Sequence, residues 1–324
     1  MMGRYAFVAL LVGALSLASL LDESALQLYV LFLLTAIVTV GVCLLMGYAG
    51  QVSLGQGAFY AAGAYTAGVL ATQGYPGLFA LIAAPLVAAA VALLVGVPLL
   101  TLRGHHLAFA TLATHLIFLS VVGEMPLAGG DVGLQGIPRL RVGPVAFESL
   151  RSYAFLSSFA LVAVLVVVQN ILASRPGRAL RALSSSEEGA AAAGVPVGRY
   201  KLAVFALSAA FAGLAGGIYA FHIGYLAPGS FPVLLSIEYV VMAAIGGLGS
   251  LSGGVVGSAV VILLVHVLSR LATMQGMPDT APAILSYAVY ATLLILAVLF
   301  LPAGISGVAA SAHARISQRW KQPS

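Results

Sequence analysis

Residues 174–201 read SRPGRALRALSSSEEGAAAAGVPVGRYK. Apolar runs flank this stretch on both sides, at Tyr153–Leu172 and Leu202–Ile223. A short polar segment rich in helix formers and carrying Arg175, Arg178 and Arg181 has no structural need for that composition between two spans. It reads as a docking element for a cytoplasmic partner. Inside it, Ser184, Ser185 and Ser186 precede Glu187 and Glu188, a hydroxyl cap followed by negative charge at the positive end of a helix dipole. Gly189 and four alanines from Ala190 follow, then Gly194 as a helix stop and Pro196 beyond it. The expected element is a helix of about two turns lying along the membrane.

Outward from that loop the chain is apolar. Of its 324 residues, 61% are hydrophobic and 7% charged, with a mean hydropathy of +1.10. Soluble domains carry about 25% charged residues, so a water-exposed globular surface is excluded. Runs near the roughly twenty residues that cross about 30 Å of hydrocarbon as helix recur throughout. They fall near 5–21, 25–47, 52–72, 77–101, 105–123, 152–173, 201–223, 234–248, 254–272 and 281–301. The fold class is therefore all-α, a polytopic integral membrane protein of about ten segments, with residues 1–324 as one transmembrane domain. Segments three and eight are Gly-rich and short or interrupted. An alternative with eight spans treats both as re-entrant.

Alternating sides from a cytoplasmic N-terminus puts Arg4, Arg103, Arg175, Arg178, Arg181, Arg199, Lys201, Arg315, Arg319 and Lys321 inside, ten of the 14 basic residues. Both termini are then cytoplasmic. The net charge of +5 belongs to these inner loops and not to nucleic acid. The N-terminal run could pass for a signal peptide, but Asp22 and Glu23 followed at once by a second apolar run favour a retained span. One long loop faces outward, near 124–151. Its glycines and prolines favour turns, and it suits either a cap over a pathway mouth, a surface for an external partner, or a plain connection.

Residues able to carry chemistry are few. Cys43 is the single cysteine, and no HExxH, GxSxG or zinc-spaced pair occurs. His105, His106 and His115 could look like a cluster, yet the first two follow Arg103 at the inner interface, where polar rings need no ligand. Neither metal nor cofactor is expected. Gly246, Gly247 and Gly249 stand in a glycine run without the lysine of a phosphate loop. They suit close helix packing or broken backbone lining a pathway. Gln51, Ser53 and Gln56 enter an apolar run as uncharged polar groups. Ser53 and Gln56, three apart, are expected on one helix face lining a polar path. Glu238 is the carboxylate within an apolar segment, by default a functional candidate, although its position near the outer end makes snorkelling easy.

Several blocks resemble the permeases of branched-chain amino-acid ABC importers, and within them the LivM-type subunit. They are GYAGQVSLGQGAFYAAGAYTAG from Gly47, TLRGHHLAFATLA from Thr101, GGDVGLQGIP from Gly129, the stretch from Arg175 to Ala220, and SIEYVVMAAIGGLGSLSGGVVGSAV from Ser236. They occur in the family's order across about 25–305. The resemblance implies an ABC-importer permease fold and a heterodimer with a second related permease. It also implies two cytoplasmic ATPases, an external solute-binding protein and a bacterial cytoplasmic membrane location. It places Glu187–Gly194 on the family's coupling segment, with 174–200 as the coupling loop. The chain departs from the family pattern at Ala191, where a second acidic residue is frequent. It also has Gln56 where His is frequent and His106 where an aromatic is.

The function expected from the resemblance is half of a translocation pathway for branched-chain or other hydrophobic amino acids, without catalysis of its own and energised by the ATPases. Relatives of the same superfamily carry urea or short amides. A self-sufficient ion-coupled transporter would need intramembrane charge pairs, and an intramembrane enzyme would need a nucleophile–base pair; neither is legible.

Overall fold

The computed structural model describes residues 4–102 and 104–272, together with 288 and 292. Apart from 288 and 292, the expected segment at 281–301 lies outside the described residues, as do the basic residues from Arg315 onward. Among the described residues, seven helices are long and apolar enough to cross a membrane. The helices are α1 (Arg4–Leu20), α2 (Glu23–Ala49), α3 (Gln56–Thr72), α4 (Gly77–Leu99), α5 (His105–Glu124), α6 (Leu150–Ala173), α7 (Arg175–Ser185), α8 (Glu187–Ala192), α9 (Val197–Ile223), α10 (Val233–Gly246) and α11 (Leu251–Ala272). Nine of these match nine of the expected segments to within a few residues, and α7 and α8 divide the polar loop between them.

At the centre α9 packs against α2, α3 and α4. With no hydrophobic force to separate helix from lipid, close backbone approach sets these contacts. Gly63 of α3 and Gly213 of α9 meet backbone to backbone, and Gly216 meets the Tyr60 carbonyl. A methyl at any of the three would overlap main chain. On its other side α9 lies along a stripe of α4, where Gly213 and Gly217 face Ala84 and Ala88, and Phe205 faces Gly96. The contacts run in opposite order along the two helices, so they are antiparallel. α4 carries Pro85 and Pro98 within its span, residues that a membrane helix can keep where neighbouring groups satisfy the freed backbone.

The chain thus alternates between two ends. One holds the C-terminal end of α2, the start of α9, and α7 with α8. The far end holds the 124–149 loop. That loop forms two 3-10 turns, Pro126–Ala128 and Gly130–Val132, and a two-residue-stranded hairpin pairing Arg141 with Ala146 and Val142 with Val145. The turns agree with the Gly/Pro reading, and the hairpin closes over Gly143-Pro144. The loop is tied down. Leu134 exchanges backbone hydrogen bonds with Leu226, and Leu140 is fully buried.

Segment three is where helix gives way to other backbone, whereas segment eight is continuous helix from Val233 to Gly246. Gly50 closes α2 in the left-handed region at φ 64°, and α3 does not begin until Gln56. Residues 50–55 therefore continue as non-helical chain from the end of α2 to mid-length of α5, where Leu54 N–H donates to Thr111 Oγ1 at 2.9 Å. α3 carries on from there to the far end, Gly68 resting on Ile137, Leu134 and Leu226. The expected helical face shared by Ser53 and Gln56 is thus corrected: Ser53 lies before the helix and accepts the Gly55 N–H at 3.3 Å. Such backbone persists at depth only when protein encloses it, and Gln51, Ser53 and Gln56 are each at most 2% exposed.

Candidate functional site

Two places concentrate polar groups that packing alone does not require. The first lies where the break before α3 meets α5 and α10. Gly57 N–H, one of the free donors of the first turn of α3, donates to Ser236 Oγ at 2.9 Å. Ser236 Oγ stands 3.0 Å from His115 Nδ1. Only glycine fits at position 57, since a Cβ there would stand 2.9 Å from Ser236 Oγ and overlap the edge of the His115 ring. Thr111, one turn before His115, donates to the Ala108 carbonyl and receives Leu54 N–H. His115, Thr111, Ser236 and Gln56 are fully buried or within 1% of it. His115 Nε2 and both amide atoms of Gln51 and of Gln56 have no hydrogen-bond partner, and the Phe231 carbonyl stands beside the His115 ring. One turn along, Tyr60, Phe231, Tyr219 and Tyr239 form a ring cluster, with centroids 5.5–6.3 Å from Tyr60.

The second place is the α7–α8 loop. Ser186, extended at φ −159°, caps α8 by accepting Gly189 N–H at 3.0 Å. The helix ends as a Schellman motif: Gly194 N–H reaches the Ala191 carbonyl and Val195 N–H the Ala190 carbonyl, with Gly194 at φ 80°. The serine cap, the acidic first turn and the Gly194 stop agree with the sequence reading. The helix is six residues long, close to the expected two turns, and α7 precedes it as a separate helix ending at Ser185. Ala190 is buried, whereas Glu188, Gly189 and 191–194 are exposed, leaving a face nearly free of long side chains. Two anchors hold the loop to the bundle. Glu187 pairs with Lys201 of α9 at 2.6 Å, and Arg181 donates to the Leu172 carbonyl at the end of α6 at 3.0 Å.

This architecture and these blocks can be set beside known proteins. Residues 24–298 match the family described as the permease component of branched-chain amino acid transport systems. The chain belongs to that family. It is 31% identical over 270 residues to the high-affinity branched-chain amino acid transport system permease protein LivM of Escherichia coli (strain K12), an alignment covering 75% of this chain and 63% of that protein. It is equally 31% identical over 290 residues to the protein of the same name from Salmonella typhimurium (strain LT2), covering 81% of this chain and 68% of the relative. The aligned region therefore spans about two thirds of the relatives' length. No solved structure matches the chain. A permease family and seven membrane-length helices make this a multi-pass membrane protein.

In this permease the sequence-selected residues separate into three groups. Gln51, Ser53 and Gln56 gather at the break before α3, and Ser186, Glu187, Glu188, Gly189, Ala190 and Gly194 at α8. Gly246, Gly247 and Gly249 sit elsewhere, at the α10–α11 turn beside the end of α2. Gly246 backs onto the Gly253 carbonyl, Gly247 ends α10 at φ 109°, and the Gly249 carbonyl accepts Tyr48 OH at 2.9 Å. Glu238 is half-buried on α10, two residues past Ser236 and so about 200° around the helix from it. The rings of His105 and His106 meet at the exposed start of α5, centroids 4.2 Å apart and tilted by 41°, far along the helix from His115. Sequence reasoning passed over His115, Thr111 and Ser236. The available signal was His115 itself, a polar ring midway through an apolar run, ten residues from the interfacial pair it was grouped with.

Proposed function

We propose that this permease forms half of the translocation pathway of an ABC importer for branched-chain or other hydrophobic amino acids. Its partners are a second related permease, two cytoplasmic ATPases that hydrolyse ATP, and an external solute-binding protein. It lies in the bacterial cytoplasmic membrane with both termini and the α7–α8 end cytoplasmic, and the 124–149 loop faces the binding protein. Gln51, Ser53 and Gln56 line the path, with Glu238 and the Gly246, Gly247 and Gly249 turn as further pathway positions. What supports this assembly is the family membership, the names of the relatives and the bias of basic residues toward one side.

The observation that carries the coupling role is the exposed Ala/Gly face of α8, held by a cap, a Schellman stop and the Glu187–Lys201 pair. A short helix without long side chains seats in a cleft of an ATPase. Its displacement passes through Lys201 into α9, whose glycines contact α3 and so reach the polar break. Bulky replacements at Glu187 or Gly194 are expected to abolish ATP-driven leucine uptake in vesicles holding the assembled complex, with membrane insertion intact. Normal uptake in either variant removes the coupling role. Uptake of urea or short amides in place of leucine moves the cargo, not the mechanism.

A further inference from the structure

The polar break at α3 has a direction. Gly57 N–H occupies one lone pair of Ser236 Oγ, and the 3.0 Å contact of that oxygen with His115 Nδ1 can close with either atom as donor; a carboxylate site here uses the tautomer in which the serine donates. A neutral ring that accepts at Nδ1 carries its proton on Nε2. Nε2 is fully buried, makes no hydrogen bond of good geometry and lies against the first turn of α3, 3.1 Å from where a Gly57 Cβ would stand, with the Phe231 carbonyl beside the ring. Gln56, the first residue of the same helix, is also fully buried with its amide unpartnered. Unsatisfied buried donors cost free energy unless something accepts from them, and the start of a 17-residue helix adds the positive end of its dipole. Imidazole N–H, amide N–H and helix N-terminus together suit an anionic oxygen and repel an ammonium group. Beside them, the rings of Tyr60, Tyr219 and Phe231 supply an apolar wall.

We infer that the first turn of α3, His115 and Gln56 form a carboxylate-binding site in this chain, with the Tyr60–Tyr219–Phe231 rings receiving the apolar part of the same small molecule. The site deepens the permease reading and rests on it: the cargo is held in transit by the permease as well as by its external binding protein. Discontinuous helices with their N-termini facing an anionic substrate group are a physical solution to that task at membrane depth.

The test uses the full-length chain in lipid nanodiscs, with nitrogen-labelled histidine and His115→Gln to assign the His115 signals. Sodium propionate is titrated against propionamide and against sodium chloride at matched ionic strength. Propionate is expected to shift the His115 Nε2 resonance saturably, propionamide and chloride are not, and Ser236→Ala is expected to weaken the half-saturation about tenfold, the loss of one oriented hydrogen bond. An unmoved His115 signal, or an equal response to chloride, overturns the site. Ser236→Ala removes one oxygen without adding volume, and a Ser236→Ala chain that stays helical yet binds propionate as the parent does also overturns it. Leucine uptake by the assembled complex separates the two readings. Uptake with a His115 that ignores propionate removes the site and leaves the permease reading. A propionate-sensitive His115 in a complex that moves no amino acid upholds the site and removes the cargo.

Discussion

Ser186 and Gly194 show how much one residue decides in this chain. Ser186 satisfies Gly189 N–H at the start of α8, and a six-residue helix has few internal hydrogen bonds to spare. Ser186→Ala is expected to cost about 1 kcal/mol of local helix stability, read as faster amide exchange at Gly189 and Ala190, with weaker ATPase retention on affinity resin. Gly194→Val places a branched side chain at φ 80°, a strain of about 1–2 kcal/mol. It should weaken uptake more than Gly194→Ala does, in the same vesicle assay. Lys201→Met is expected to do less to stability, because its partner Glu187 is 40% exposed and such pairs contribute about 1 kcal/mol at most. Its signature is lost uptake in a chain that still inserts and melts normally. Ser186 and Gly194 were legible in the sequence because a cap and a stop are local chemistry, written within three or four positions of the groups they satisfy; the Glu187–Lys201 pair, 14 positions apart, was not.

The helices were legible in existence and less so in continuity. Apolar runs marked α2, α4, α5, α6 and α9 closely, since each crosses as uninterrupted helix. The third run was marked by its glycines as interrupted, and its first residues are indeed non-helical, because Gly50 closes α2 and Gly55 stays outside α3. Hydropathy does not distinguish a helix from enclosed extended chain; both are apolar on average. Where helices meet, the small residues are as demanding as the long ones. Gly213→Val on α9 would drive methyls into Ala88 and the Ala84 carbonyl while also disturbing Gly63 of α3. An overpacking cost of about 1–3 kcal/mol is expected, seen as a lower thermal midpoint in detergent and reduced yield of folded chain. By the same measure Gly249→Ala should be silent, since open space surrounds its Cβ position.

Across the molecule, segments far apart in sequence are joined at the far end by hydrogen bonds that no local pattern announces. Tyr153 of α6 donates to the Phe221 carbonyl at 2.9 Å and accepts Leu140 N–H at 3.2 Å, while Arg139 donates to the His222 carbonyl at 2.9 Å. The far-end loop is thus clasped to α6 and α9 together. Tyr153→Phe leaves the buried Leu140 N–H without its acceptor, a cost of about 1–3 kcal/mol. Limited proteolysis within 124–149 should speed up severalfold in that variant with the helices still intact. The membrane class, the approximate segments and the capped helix α8 followed from composition and short-range signals, because burial in lipid is an averaged property and capping is a local one. Which polar groups meet did not follow. Gly57 and Ser236 lie 179 positions apart and Ser236 and His115 lie 121 apart. Their union depends on Gly55 and Gly57, which let α3 approach α5 and α10 until side-chain hydroxyl, imidazole and helix end share one buried space. Close approach is a property of two surfaces at once, and only the folded chain brings both surfaces together.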